Sequence, residues 1–190
     1  MNPMKEIFAN LKTASLAAVL LTVLLCGAYP AAVGFLGRGL FPDRAGGSLI
    51  KSDAGIVGSE LLARGFSGER FFHPRPSAAG EGFDALRSGG SNRGPLSRDL
   101  EEAVRVRVEA YRAENSLPDG IPVPADAVTA SASGLDPHIT LKNAVLQSRR
   151  VARARELEET AVRALIEART EGRALGFLGE PRVNVLALNL

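Results

Sequence analysis

The sequence predicts an α+β protein: one N-terminal transmembrane helix followed by a small mixed α+β domain. Three observations carry this reading. Residues 13–37 hold no charge and run TASLAAVLLTVLLCGAYPAAVGFLG between Lys12 and Arg38. Residues 38–190 carry 21 basic and 20 acidic side chains, the mixed surface of a folded domain. Within them, two helical-period stretches alternate with short apolar runs set among Gly, Pro and Ser.

The apolar run is long enough to span a membrane, since about 20 residues rising about 1.5 Å each cross a hydrocarbon core of roughly 30 Å. Its most apolar part is 16–28, Tyr29 suits an interface, and Pro30 with Gly34 is expected to end or kink the helix. A cleaved signal peptide is the competing reading, with Lys5 and Lys12 before an apolar 16–26. The extent of the run favours a retained span over 13–36. Basic residues flank both ends, so charge bias does not set the orientation.

In the domain, Gly-, Pro- and Ser-rich residues 38–96 predict short strands at 48–50 and 71–72 joined by turns. Ser97 is the expected N-cap of a helix whose first turn holds Asp99, Glu101 and Glu102. Leu100, Val104, Val108 and Tyr111 lie along one face, and Asn115 with Pro118 stops it. Residues 123–124 and 127–130 read as extended. Thr140 caps a second helical region running to about Thr170, and its phase drift near 155–158 predicts two consecutive helices. A closing strand is expected at 183–188.

Composition narrows the chemistry. The formal charge is +2, too small to mark a nucleic-acid surface, and tryptophan is absent. The single cysteine, Cys26, excludes an intramolecular disulfide and a cysteine-based zinc site, and two histidines supply little for a metal centre. A P-loop is missing: the nearest approach, GGSLIKS at 46–52, has Ile before the lysine.

Three segments remain as candidate sites. SGGSN, comprising Ser88, Gly89, Gly90, Ser91 and Asn92, can wrap an anion with backbone N–H groups or can be a plain glycine turn. SASGLDPHIT at 131–140 places Ser131, Asp136 and His138 in one loop. A hydrolase triad is disfavoured there, because such triads are assembled from separate segments and no GxSxG elbow is present. Asp136 reads as a turn residue before Pro137 and His138 as a hydrogen-bonded structural histidine, and both stand with the arginines below as candidate docking residues. QSRRVARAR at 147–155 sets Arg149, Arg150 and Arg153 within two turns. Two readings stand for it: a solvated face neutralised by Glu156, Glu158 and Glu159, or a docking surface for an acidic partner.

Seven blocks in order resemble the C subunit family of Kdp-type potassium-transporting ATPases. They are LFPDRAGGSLI (40–50), VGSELL (57–62), FFHPRPSAAG (71–80), SGGSNRGP (88–95), VTASASGLDPHIT (128–140), RVARAR (150–155) and GRALGFLGEPRVNVLALNL (172–190). The resemblance departs at Glu158, where the family pattern has a helix-opening Ser or Thr, so a cap is expected to be lost. It implies an inner-membrane protein with residues 1–12 cytoplasmic, a span at 13–36 and an extracytoplasmic (periplasmic) domain at 38–190. The implied partners are a potassium-channel-like subunit, a P-type ATPase subunit and a small membrane peptide, importing K⁺ at the expense of ATP. The implied role is a non-catalytic accessory subunit with no cofactor of its own, which assists assembly or raises ATP affinity, with SGGSN as part of a shared nucleotide site. A periplasmic loop, however, cannot touch cytoplasmic ATP across roughly 30 Å of hydrocarbon. On that topology, any effect on ATP affinity passes through the complex as coupling. Two independent exported proteins, a hydrolase using Ser131/Asp136/His138 and an anion binder at SGGSN, are the alternatives.

Overall fold

A computed structural model describes residues 3–53 and 55–190. The chain divides into two units, Met1–Leu49 and Ile50–Leu190.

The first unit is built on one helix of 38 residues, Pro3–Leu40. It comprises α1 (Pro3–Thr22), a π-helical turn (Val23–Ala28) and α2 (Tyr29–Leu40). Its apolar side chains are exposed: Leu20, Val23 and Tyr29 are each more than half exposed. A solvent of lipid satisfies such a surface, and the helix closes its own backbone hydrogen bonds. Of the two outcomes expected at Pro30, an end or a kink, the helix does not end there. Its ring would meet the carbonyl of Cys26 in a regular α-turn. The preceding π turn, in which the Tyr29 N–H donates to the Leu24 carbonyl, widens the coil one step earlier. The helix stops at Phe41 (φ −139°, ψ 62°), after which Pro42 opens the single turn α3 (Pro42–Ala45).

The second unit holds two small sheets and the remaining helices. β1 (Leu49–Ser52) and β2 (Gly55–Ser59) form a two-stranded sheet. Residues 60–97 then run without helix or strand. The expected strand at 71–72 is therefore absent, although Phe72 is wholly buried.

α4 (Arg98–Glu114) begins after Ser97 as the sequence indicates, but the Ser97 hydroxyl makes no capping bond; its carbonyl accepts from the Leu100 and Glu101 N–H groups. α5 (Ala125–Val128) replaces the extended stretch expected at 127–130, with Pro124 standing at the N-cap rather than breaking the chain. β3 (His138–Thr140) leads directly into α6 (Leu141–Arg155), where the Thr140 hydroxyl accepts from the Asn143 N–H. Glu156 takes a left-handed conformation (φ 59°) and ends α6, and α7 (Glu159–Ala168) follows. The N-cap of α7, Glu158, makes no side-chain capping bond.

β4 (Thr170–Glu171) and β5 (Arg182–Asn184) complete an antiparallel sheet in the order β3–β5–β4, with His138 opposite Asn184 and Thr170 opposite Val183. The strand expected at 183–188 is only three residues long. The Asn184 side chain accepts from the Ala187 N–H and converts the rest into α8 (Val185–Asn189). Phe72, Ile139, Val151, Ile166, Val183 and Leu188 form the centre of the core.

Candidate functional site

An irregular strap, residues 68–75, crosses this core, and side chains take the place of a neighbouring strand. The Asn189 amide brackets Phe72, accepting from its N–H at 2.8 Å and donating to its carbonyl at 2.9 Å. The Gln147 amide does the same to His73, at 2.7 and 3.1 Å. Buried backbone groups must be paired, and here carboxamides, which carry one acceptor and donors side by side, supply the pairing.

Arg150 secures the strap from α6. Its Nη1 donates to the carbonyls of Glu69 (2.8 Å) and Phe71 (2.9 Å), its Nη2 to Gln147 and its Nε to Asn115. Only 7% exposed, this arginine spends its donors on the chain itself. Its guanidinium is thus a fold component and not the surface docking group that its place beside Arg149 suggests. Burial lowers its proton affinity, opposed by Glu114.

The network continues outward. Asn143, the i−4 neighbour of Gln147, accepts from the Gln147 amide and from the Tyr111 hydroxyl at 2.9 Å each. Its own amide donates to Asp126, whose carboxylate also accepts from the Thr140 N–H and hydroxyl. Burial, reinforced by the charge of Asp126, pushes the Tyr111 phenol up. His73 Nδ1 lies 2.9 Å from Glu114 and its Nε2 3.0 Å from the Gly68 carbonyl. Glu114 is held below its usual carboxylate range mainly by that bond to His73.

Asp136 behaves as the turn residue expected before Pro137. It accepts from the His138 N–H at 3.0 Å and pairs with Arg75 at 3.0 Å. Partial burial would raise its carboxyl, but the His138 side chain and N–H, with Arg75, outweigh this and bring it to about 2. His138 has Nδ1 at 3.5 Å from Asp136 and Nε2 at 3.7 Å from Glu171. Both ring nitrogens therefore face carboxylates rather than a hydroxyl. Ser131 is buried, and no serine–histidine–aspartate relay is assembled among the described residues.

The SGGSN loop is locked against the 131–135 loop. The Ser88 hydroxyl (3.0 Å) and the Gly89 N–H (2.9 Å) both donate to the Ser133 carbonyl. A Cβ at Gly90 would lie 2.9 Å from the Ala132 carbonyl oxygen, and one at Gly134 (φ +69°) would lie 2.6 Å from the Ala79 nitrogen. The glycines thus permit two loops to touch through their backbones. The Gly89 N–H is turned inward, whereas Ser91 and Asn92 are exposed.

Arg149 and Arg153 are exposed one turn apart on α6 and make no ion pair among the described residues. The glutamates expected to neutralise them do not do so: Glu159 pairs with Arg163 at 2.6 Å, and neither Glu156 nor Glu158 forms a salt bridge among the described residues.

Sequence reasoning singled out Asp136, His138 and the arginines, but missed Gln147, Asn189, Asn143, Asp126 and Arg75 as the groups that organise the site. One signal was available. Asn143, Gln147 and Arg150 recur at i, i+4 and i+7, a polar stripe on a face of α6 that also carries Ala144 and Val151.

Comparison with known proteins agrees with the geometry in covering both units. The family described as "KdpC: K+-transporting ATPase, c chain" matches residues 11–190. A "Potassium-transporting ATPase KdpC subunit" from Nitratidesulfovibrio vulgaris is 53% identical over 174 residues, covering 90% of this chain and 87% of the relative. Relatives of the same description from Koribacter versatilis and Mycobacterium bovis are 48% and 51% identical, over 95% and 89% of this chain and 92% and 89% of their own lengths. The chain belongs to the KdpC family of K⁺-transporting ATPase c chains.

Proposed function

We propose that the chain is a non-catalytic accessory subunit of an ATP-driven K⁺ import complex, held in the bacterial inner membrane by its long helix. The observation that carries this reading is the family match over residues 11–190, which takes in the apolar helix and the folded unit together. The N-terminus is cytoplasmic and the α+β unit periplasmic. Its partners are a channel-like subunit, a P-type ATPase subunit and a small membrane peptide.

The buried polar groups of α6 are bonded to one another and to the strap, an arrangement that fixes shape rather than exposing a nucleophile and its base. ATP is bound by the partner, and this subunit acts on it by coupling. With Gly89 and Ser88 bonded to Ser133, SGGSN serves as a structural clasp.

The test is mild-detergent purification of the tagged full-length chain from potassium-starved cells, with mass spectrometry and an assay of K⁺-stimulated ATP hydrolysis. Stoichiometric recovery with a P-type ATPase chain and a channel-like chain is expected. Recovery of this chain alone, from cells in which the ATPase chain is expressed and stable, refutes the reading.

A further inference from the structure

Between the C-terminal ends of α4 and α6 lies a cavity of about 200 Å³, lined by Arg149, Arg150 and Arg153 on one side and by Asn115 and Ser116 on the other. Its charges are unbalanced. Glu69 and Glu114 are the carboxylates in its wall, and Glu114 is already 2.9 Å from His73 Nδ1 while standing 3.9 Å from Arg150. The oxygens that Arg150 hydrogen-bonds belong to neutral carbonyls and amides, so its charge is offset in this wall by the 3.9 Å pairing with Glu114 and not by a bonded carboxylate. Arg70 and Arg155 add to the same end of α6: the Arg155 Nε donates to the Arg70 carbonyl, and burial, with the like charge of Arg70 beside it, depresses the proton affinity of Arg155.

This arrangement burdens the isolated fold. Arg149 and Arg153 repel each other at i,i+4, and no carboxylate pairs with either among the described residues. The helix C-terminus favours cations in its last turn, which accounts for Arg153 and Arg155 but not for Arg149. An incoming anion would relieve all of them together.

We propose that this cavity receives a single Asp or Glu side chain from an extramembrane segment of a partner chain of the transporter. Arg149 and Arg153 grip the carboxylate, and Arg150 stands behind them as a fixed positive charge. The proposal rests on the accessory-subunit reading and names its contact. Guanidinium forks match a planar carboxylate in two-point geometry. The cavity is concave and small, which suits one protruding side chain better than a flat lipid surface. Because all three guanidinium nitrogens of Arg150 are bonded to its own chain, the site provides two movable forks and a field, and the partner's backbone must supply the rigid geometry.

The test uses the full-length tagged chain co-expressed with its transporter partners. Arg149→Glu/Arg153→Glu is compared with the natural sequence and with Arg98→Glu, a charge-reversing change at an exposed arginine elsewhere. Recovery of the partner chains should fall at least about tenfold in the double variant and stay unchanged for Arg98→Glu. Recovery with the natural sequence should weaken as NaCl is raised. Circular dichroism of each purified chain controls for folding.

Arg149→Lys/Arg153→Lys with a carbodiimide then joins the substituted amine at either position to a facing carboxylate, and peptide mass spectrometry identifies the partner residue. Full recovery of partners by the double glutamate variant overturns the proposal, as does cross-linking only within this chain. Retention of the complex with loss of co-purifying anionic phospholipid reassigns the arginines to lipid and overturns it too. Failure of the natural sequence to recover partners is separate, and sinks the accessory-subunit reading itself.

Discussion

Replacing Gln147 by leucine removes the middle clasp of the strap while nearly preserving side-chain volume. Four hydrogen bonds are lost: two to the His73 backbone, one from Arg150 and one to Asn143. The last two partners have alternatives, since Asn143 keeps the Tyr111 hydroxyl and Arg150 keeps the Glu69, Phe71 and Asn115 oxygens. The His73 N–H and carbonyl do not. Each backbone group left unpaired costs about 1–3 kcal/mol, partly offset by the extra apolar burial, so a net loss of about 3 kcal/mol is expected. For a chain of this size that corresponds to a fall in Tm of roughly 6–12 °C.

Thermal unfolding of the full-length chain in mild detergent, followed by far-ultraviolet circular dichroism, measures it. Lys142→Leu, an exposed change one turn earlier on the same helix, serves as control. A Gln147→Leu loss below about 1 kcal/mol would refute the argument that carboxamides substitute for a neighbouring strand.

Three further outcomes follow from the same geometry. Thr140→Ala removes the α6 cap and one donor to Asp126, and should cost about 1–2 kcal/mol by denaturant titration. Asp136, with its folded carboxyl near 2 against an ordinary 3.8, contributes stability that is fully present above about pH 4 and disappears as pH falls towards 2. Its contribution is up to roughly 2 kcal/mol, and Asp136→Asn should flatten the acid limb of a stability-versus-pH curve over that window. Gly134→Ala places a Cβ 2.6 Å from the Ala79 nitrogen at φ +69°, and should destabilise by about 3 kcal/mol or more, visible as early loss of the near-ultraviolet signal on heating.

The elements that were legible in the sequence are those whose signal is local. α4, α6 and α7 declare themselves by apolar period, and Thr140 marks a true cap because its hydroxyl reaches only three residues forward. The misreadings arise where one residue has two uses. In the sequence Pro124 reads as a break, yet its fixed φ stands equally well at an N-cap, and α5 begins at the next residue. Asn184 interrupts an apolar run that looks like strand, because its carboxamide caps α8. The Asp136–His138 turn was readable because its bond spans two residues. The clasps on His73 and Phe72 were not, since their partners lie 74 and 117 residues away and no period in the sequence links them. Arg150 was misplaced for a related reason: a guanidinium beside other arginines resembles surface charge, and only the irregular strap with its unpaired carbonyls explains why it is inside.

The wide turn at Val23–Ala28 also changes how the long helix can be used. Closing a turn with i→i−5 bonds inserts one residue into the screw, which rotates everything beyond it by about 100° relative to an unbroken α-helix. The stripe that contains Leu16 and Leu20 therefore does not continue onto the residues that a constant 3.6-residue step would select after Tyr29. Two neighbours, or two faces of one neighbour, can be served by a single span whose halves look in different directions. Cysteine scanning along the span should accordingly give two accessibility waves of the same wavelength, with their phase broken at the wide turn.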